Sequence, residues 1–282
     1  MRCMVEEASA TAGVGGSPPP AQRGPLPSRR PGEEMSSPII ILDEIDSTNA
    51  EARRRAEAGE AGPVWIVARR QTAGRGRRGR TWGSDEGNLF ATLLMVTPKP
   101  PAQAAQVTFV AALAVADLVE AFSVPGRMSI KWPNDVMLGG EKAAGILVES
   151  GPHAAGGLWL AVGIGVNLGH HPEGTERPAT SVRAHLRPDV AHPPAPEVAI
   201  RALADGFDQW LTRWDTLGFD PLLEAWRARA GNLHGPVTAR LGRETIEGVA
   251  DGVEADGSLR LRLPDGSMRL IAAGDIFFGE TA

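Results

Sequence analysis

Six arginines and three glycines fall within the twelve residues Arg69 to Arg80 (RRQTAGRGRRGR), a stretch with no acidic group. Guanidinium groups bind oxyanions through paired hydrogen bonds, and glycines expose backbone N–H groups to a ligand, so these residues have the chemistry of an anion site. Two anions fit: the phosphates of a nucleotide or the backbone of a nucleic acid. The bland alternative is a solvated basic loop. Glycines alternating with arginines argue against it, because a solvated run gains nothing from residues that permit close backbone approach.

Gly74 to Gly79 spells G-x-G-x-x-G, but its surroundings are not those of a dinucleotide-binding loop. Such a loop opens a helix and is followed about 20 residues later by a carboxylate for the ribose. Here Gly83 and Gly87 interrupt the segment that would have to be that helix, and Met95 to Lys99 (MVTPK) carries no acid. The H-R-D and D-F-G sequences of a protein kinase are also absent.

A second group of polar residues stands at Lys131-Trp132-Pro133-Asn134-Asp135-Val136 (KWPNDV), followed by Lys142 at the head of the apolar run AAGILVE. A lysine, an amide and a carboxylate at a strand end, beside a proline, suit a strand-edge active site. The competing reading is a hairpin corner with Trp132 in the core and Lys142 in solvent.

The elements that must hold these residues can be placed from hydrophobic period and turn chemistry. Strands are predicted over Pro38–Leu42, Val64–Arg70, Asn88–Val96, Arg127–Trp132, Asp135–Leu138, Lys142–Glu149 and Leu158–Val166. Ser47 or Thr48 can cap a helix with Glu51 as capping-box partner, ending at Gly59. Ala102–Phe122 reads as a buried amphipathic helix, with Gln103, Gln106, Asp117 and Glu120 interrupting its apolar run. His170–Pro196 reads as a long loop. Glu197–Leu217 carries Ile200, Leu203, Phe207, Trp210, Leu211 and Trp214 at helical spacing, and Phe219–Ala230 continues that pattern. Short alternating strands with Asp-Gly turns then imply a small closed β-barrel over 234–282. The expected fold is α+β: a mixed β-sheet with helices on one face, over residues 37–233, plus the barrel.

Composition narrows the setting. The net charge is −5 and the isoelectric point about 5.7, which argues against a protein devoted to coating nucleic acid. The single cysteine, Cys3, permits no internal disulfide, which fits a reducing, cytoplasmic location. No signal-peptide pattern or uninterrupted apolar run of membrane-spanning length is present, so neither secretion nor membrane insertion is expected. Residues 1–36, rich in Pro and Gly, are expected to be disordered. Met35, just before the first strand, is the expected start of translation.

Taken together, GRGRRGR, KWPND and the K-x-A-G-I-L-V-E run resemble the biotin protein ligases. The resemblance extends upstream to Asp46-Ser47-Thr48-Asn49 and downstream to Gly163-Ile164-Gly165-Val166-Asn167-Leu168, in the family's order over roughly residues 39–280. It implies a catalytic core similar to that of class II aminoacyl-tRNA synthetases, with an SH3-like barrel at the C-terminus. The implied activity is ATP-dependent conversion of biotin to biotinyl-5′-AMP, with Mg2+ on the nucleotide, then transfer to a lysine of a biotin carboxyl carrier protein.

By the same resemblance Ser47, Thr48, Asn49, Gln71, Arg75, Gly76, Arg77 and Lys142 bind biotin. Gly74, Arg77, Lys131, Asn134 and Asn167 meet ATP, and Lys142, Arg77 and Arg75 act in catalysis; no metal ligand is assigned. The family's DNA-binding form has an N-terminal winged helix, which residues 1–36 are too short and too Gly/Pro-rich to make, so a repressor role is not expected. The rival readings are a lipoate-protein ligase and, from another class, a nucleic-acid-binding module. Homodimerisation, the carboxylase modified and the barrel's role are left open.

Overall fold

The computed structural model describes residues 37–231, 233–241 and 244–278, so the disordered tail and the translation start expected before Ser37 lie outside the described residues. Seven strands form the main sheet: β1 (Ile39–Ile45), β2 (Val64–Gln71), β3 (Leu89–Thr97), β4 (Met128–Lys131), β5 (Asp135–Leu138), β6 (Glu141–Pro152) and β7 (Leu158–Val166). Their order is β1-β2-β3-β7-β6-β5-β4; β1 runs parallel to β2, and every other pair is antiparallel. The sheet is therefore mixed, as expected, and each predicted strand is present with ends moved by a few residues.

The helices are α1 (Thr48–Glu57), α2 (Pro101–Ala104), α3 (Val107–Phe122), α4 (Pro196–Leu217) and α5 (Asp220–Arg227). They cover both faces of the sheet, where one face was expected. Alternation along β2 shows the division: Trp65 and Val67 join α3, α4 and α5 in the larger core, while Val64 and Ile66 join Ala52 and Ala56 of α1 in a smaller one. The physical reason lies in the strand itself. Val64–Ala68 is apolar at every position, and a strand apolar on both sides needs cover on both.

Pro101–Phe122 is long and apolar enough to cross a membrane. Here α3 lies in the core, packed against the sheet, α4 and α5. Trp65 anchors α4 through Phe207, with ring centroids 5.6 Å apart in an edge-to-face contact.

A second, wholly antiparallel sheet contains β8 (Pro236–Leu241), β9 (Glu244–Val253), β10 (Leu259–Arg262), β11 (Met268–Ile271) and β12 (Asp275–Phe278), in the order β11-β10-β9-β8-β12. This five-stranded antiparallel sheet occupies the stretch where the small C-terminal barrel was expected. It also shares the main core. Val237, Leu259 and Ile276 belong to the same buried cluster as α3, and Trp132 Nε1 donates to Gly257 O at 2.9 Å.

Phe207→Ala is expected to destabilise the fold by about 3–5 kcal/mol, because it removes a fully buried ring and leaves Trp65 facing a void. Urea unfolding checks this as a lowered midpoint with an unchanged slope.

Candidate active site

The site lies on the α1 face of the sheet and is floored by residues without bulk. Gly145 of β6 pairs with Gly165 of β7, and Gly163 lies two residues along on the same face. A Cβ at Gly165 would come within 2.5 Å of the Trp82 indole, one at Gly145 within 3.0 Å of it, and one at Gly163 within 2.0 Å of Asn49 Oδ1. These strand glycines admit an indole and an amide directly onto the sheet. The cavity above them has a volume of about 190 Å³, room for a small organic molecule rather than a single water.

One wall comes from the start of α1. Ser47, Thr48 and Asn49 are all buried. Gln71 Oε1 accepts from the Thr48 backbone N–H at 2.8 Å and lies 3.2 Å from Thr48 Oγ1, while Gln71 Nε2 donates to Ser84 Oγ at 2.9 Å. Asn49 Nδ2 donates to Leu147 O and to Glu149 Oε2, and Thr92 Oγ1 donates to Asn49 Oδ1 at 2.7 Å. Ser47 is the residue before the helix, yet neither it nor Thr48 caps α1 through its side chain. The expected capping box is not formed, because Glu51 is taken by Arg54 and Arg55 and the Thr48 N–H by Gln71.

The arginine cluster divides into three. Arg69 and Arg70 are still on β2 and pair with Asp43 and Glu44 of neighbouring β1, outside the site. Arg78 and Arg80 reach the second sheet. Arg75 and Arg77 face the cavity: Arg75 Nη2 lies 3.4 Å from Glu149 Oε2, and Arg77 Nη1 donates to Asn134 Oδ1 at 2.9 Å. Burial lowers the pKa of the Arg77 guanidinium, against the pull of Asp275 and Asp135.

Over the glycine floor, Lys142 Nζ lies 2.6 Å from Asp135 Oδ1 and 5.4 Å from the Trp82 ring. Arg177 Nη1 is 3.4 Å from Asp135 Oδ2. Its guanidinium stacks 4.1 Å over Phe277, and its Nε and Nη2 have no hydrogen-bond partner among the described residues. Burial and the nearby Arg177 pull the Lys131 pKa down to about 8. Asn134 Nδ2 donates to Ile146 O, and Asn167 Nδ2 donates to Thr180 O at 2.9 Å, so both amides also brace the backbone around them. Lys142 and Arg177, both half-buried, pair with the buried Asp135, and the half-buried Arg77 and Lys131 stand within reach of its field, so an anion would balance the cations gathered there.

Ser47, Thr48, Asn49, Gln71, Arg75, Gly76, Arg77, Asn134, Lys142 and Asn167 therefore all line one cavity. Two expected residues do not. Lys131 stands behind the wall, and Gly74 is packed into the base of the loop, where a Cβ would come 2.4 Å from Ser84 Oγ. Trp82, Asp135, Arg177 and Asp275 also line the cavity without having been assigned there. Glycines inside an apolar strand pattern were a usable signal for Trp82; Arg177, in an aperiodic loop, had none. Among the described residues no cluster of three or more His, Cys, Asp or Glu side chains is arranged to hold a metal.

Comparison with known proteins agrees with this layout. Residues 42–168 match the biotin/lipoate A/B protein ligase family, and residues 236–279 match the biotin protein ligase C terminal domain. The biotin–[acetyl-CoA-carboxylase] ligase of Paracoccus denitrificans is 43% identical over 85% of this chain and 100% of its own length. The bifunctional ligase/repressor of Bacillus subtilis is 30% identical, over 88% of this chain and 76% of that protein. Among solved structures, biotin protein ligase from Aquifex aeolicus in complex with biotin and ATP superposes with a TM-score of 0.71 at 28% identity, covering 85% of this chain and 97% of that one.

Gly163→Ala is expected to cost about 1–3 kcal/mol, because the added methyl displaces Asn49 from its bonds to β3 and β6. Thermal unfolding of the variant beside the wild type checks this as a lowered midpoint.

Proposed function

The chain belongs to the biotin protein ligase family, and we propose from that premise that it activates biotin with ATP and transfers it to a lysine of a biotin carboxyl carrier protein. The observation that carries the reading is one cavity lined by Ser47, Thr48 and Gln71, by the glycines of β6 and β7, and by the cations Arg75, Arg77 and Lys142. The apolar body of biotin fits the floor beside Trp82. Its polar ring has hydroxyls and amides within reach at Ser47, Thr48 and Gln71, each able to donate or accept. Arg75 and Lys142 are then placed for its carboxylate, and Arg77 for the phosphates.

In the first step a biotin carboxylate oxygen attacks the α-phosphorus of ATP. A C–O–P anhydride forms, and the bond to pyrophosphate breaks. Negative charge gathers at this junction, and fixed cations in a water-poor cavity stabilise it without having to reorganise. Mg2+ would arrive on the triphosphate, with the Asp135 carboxylate a hard oxygen donor able to share it. In the second step the carrier lysine amine attacks the acyl carbon, forming an amide and releasing AMP. The arginine loop over the cavity limits hydrolysis of the anhydride by water. The single cysteine and the apolar core helix suit a cytoplasmic enzyme.

Incubating the protein with biotin, MgATP and a carrier domain is expected to raise the carrier's mass by one biotinyl group; a lipoyl shift alone, with lipoate offered in parallel, would overturn the reading.

The lowered pKa of Lys131 gives a second test. A bound anion favours the protonated amine, so MgATP binding near pH 8 and above should take up protons, and affinity should fall as pH rises through about 8. Calorimetry in buffers of different ionisation enthalpy should detect the uptake, and Lys131→Met should abolish it.

A further inference from the structure

Asp275 opens β12, the end strand of the second sheet, and only 3% of its surface is exposed. Its carboxylate receives a short hydrogen bond from Arg80 Nη2 and lies 3.3 Å from Arg78 Nη1. Arg78 Nη2 also donates to Arg240 O of β8 at 2.8 Å, and Arg77 Nη2 donates to Gly274 O at 2.9 Å. All three arginines of the turn thus end on the β8–β12 edge.

The turn has little else to hold it. Arg78 has a left-handed backbone, with φ 55°, and no residue of Arg77–Gly79 is buried. Its own backbone bonds include Gly76 N–H to Arg80 O and a longer one from Arg80 N–H to Arg77 O. Asp275 itself lies on β12, whose ladder with β8 does not involve the loop. When the loop leaves, the carboxylate gives up two guanidinium partners, and that loss favours the docked loop.

We propose that Asp275 is a positioning residue. By clasping Arg78 and Arg80 it docks the arginine loop onto the second sheet before any ligand binds, and so holds Arg77 at the cavity. The effect on the intermediate rests on the ligase reading above; the clasp itself does not. The clasp acts through the loop it holds. Its contribution is to the fraction of time the loop is closed, and hence to retention of biotinyl-5′-AMP.

The test uses the full chain and two readouts. In limited digestion without ligand, trypsin cuts at Arg75, Arg77 and Arg78 report loop opening, and cuts at the exposed Arg183 in a separate loop report general loosening. Asp275→Asn is expected to speed cleavage at the arginine loop about tenfold with Arg183 unchanged, as is Arg80→Met, which removes the same bond from its exposed side. The double variant should be no worse than either single one, and Asp275→Glu should recover much of the protection. In enzyme loaded with biotin and MgATP, adenylate release should rise by a similar factor. Wild-type cleavage and release in both single variants, or equal acceleration at Arg183, would overturn the clasp. A wild-type protein that makes no adenylate would instead overturn the ligase reading, while the digestion still decides the clasp.

Discussion

The contact between Lys142 and Asp135, 2.6 Å long, sets the terms for the rest of the site. A buried carboxylate is tolerable only beside a cation, and here it has two, Lys142 and Arg177, with the side chain of Lys131 close enough to feel its field. Backbone register produces this. In the β5–β6 hairpin Lys142 lies opposite Met137, two residues from Asp135 and on the same side of the strand. An irregularity between Val136 and Met137 breaks the ladder at that point. The diagonal pair can then close over the hairpin rather than point into solvent. The resulting excess of positive charge has no full match within the protein, so the structure is arranged for a ligand that brings negative charge with it.

The glycine floor is the counterpart of those cations. Gly145, Gly163 and Gly165 come from two neighbouring strands and together remove side chains from one patch of the sheet. Trp82 and Asn49 fill the opened space from opposite directions. A cavity with both an apolar floor and a set of cations discriminates between the two halves of an elongated ligand. The floor contributes through the area it removes from water, and the cations fix direction. The Asn49 amide is committed to Leu147, Glu149 and Thr92, so it fixes the wall of the cavity that it lines.

Much of this was legible in the sequence because it depends on local pattern. The apolar runs of β2, β3 and β7 and the helical spacing of Ile200, Leu203, Phe207, Trp210 and Trp214 each needed only neighbouring residues to be read. The placing of α1 on the far face from α3 and α4 was less visible, since an apolar strand announces that both faces are covered without saying by what. The arginine cluster shows the limit most clearly. Six side chains in a row read as one basic patch, and the fold assigns them to three unrelated tasks. Arg69 and Arg70 keep to the period of the strand and pair with β1, while Arg75 and Arg77 turn inward. Arg78 and Arg80 go to a carboxylate far along the chain, with 195 positions between Arg80 and Asp275. No spacing rule reaches that far.

That long-range pairing also explains why the second sheet belongs to the site though it holds few of its residues. Phe277 of β12 is stacked between the guanidinium groups of Arg177 and Arg240, each 4.1 Å from the ring, and Arg240 in turn pairs with Glu176. The arginine loop and the Glu176–Arg177 segment therefore meet the same β8–β12 edge, one through Asp275 and the other through Phe277. Those two segments carry Arg77 and Arg177, cations that line the cavity. Arg77 donates both to Asn134 and to Gly274 O, and Arg177 both pairs with Asp135 and stacks on Phe277, so each is held from the main sheet and from the second sheet together. Because β8 and β12 share a core with α3 through Val237 and Ile276, the edge is rigid with respect to the catalytic sheet. Two long, polar segments with little burial of their own are thus given positions by a surface that lies outside the main sheet and closes one side of the cavity.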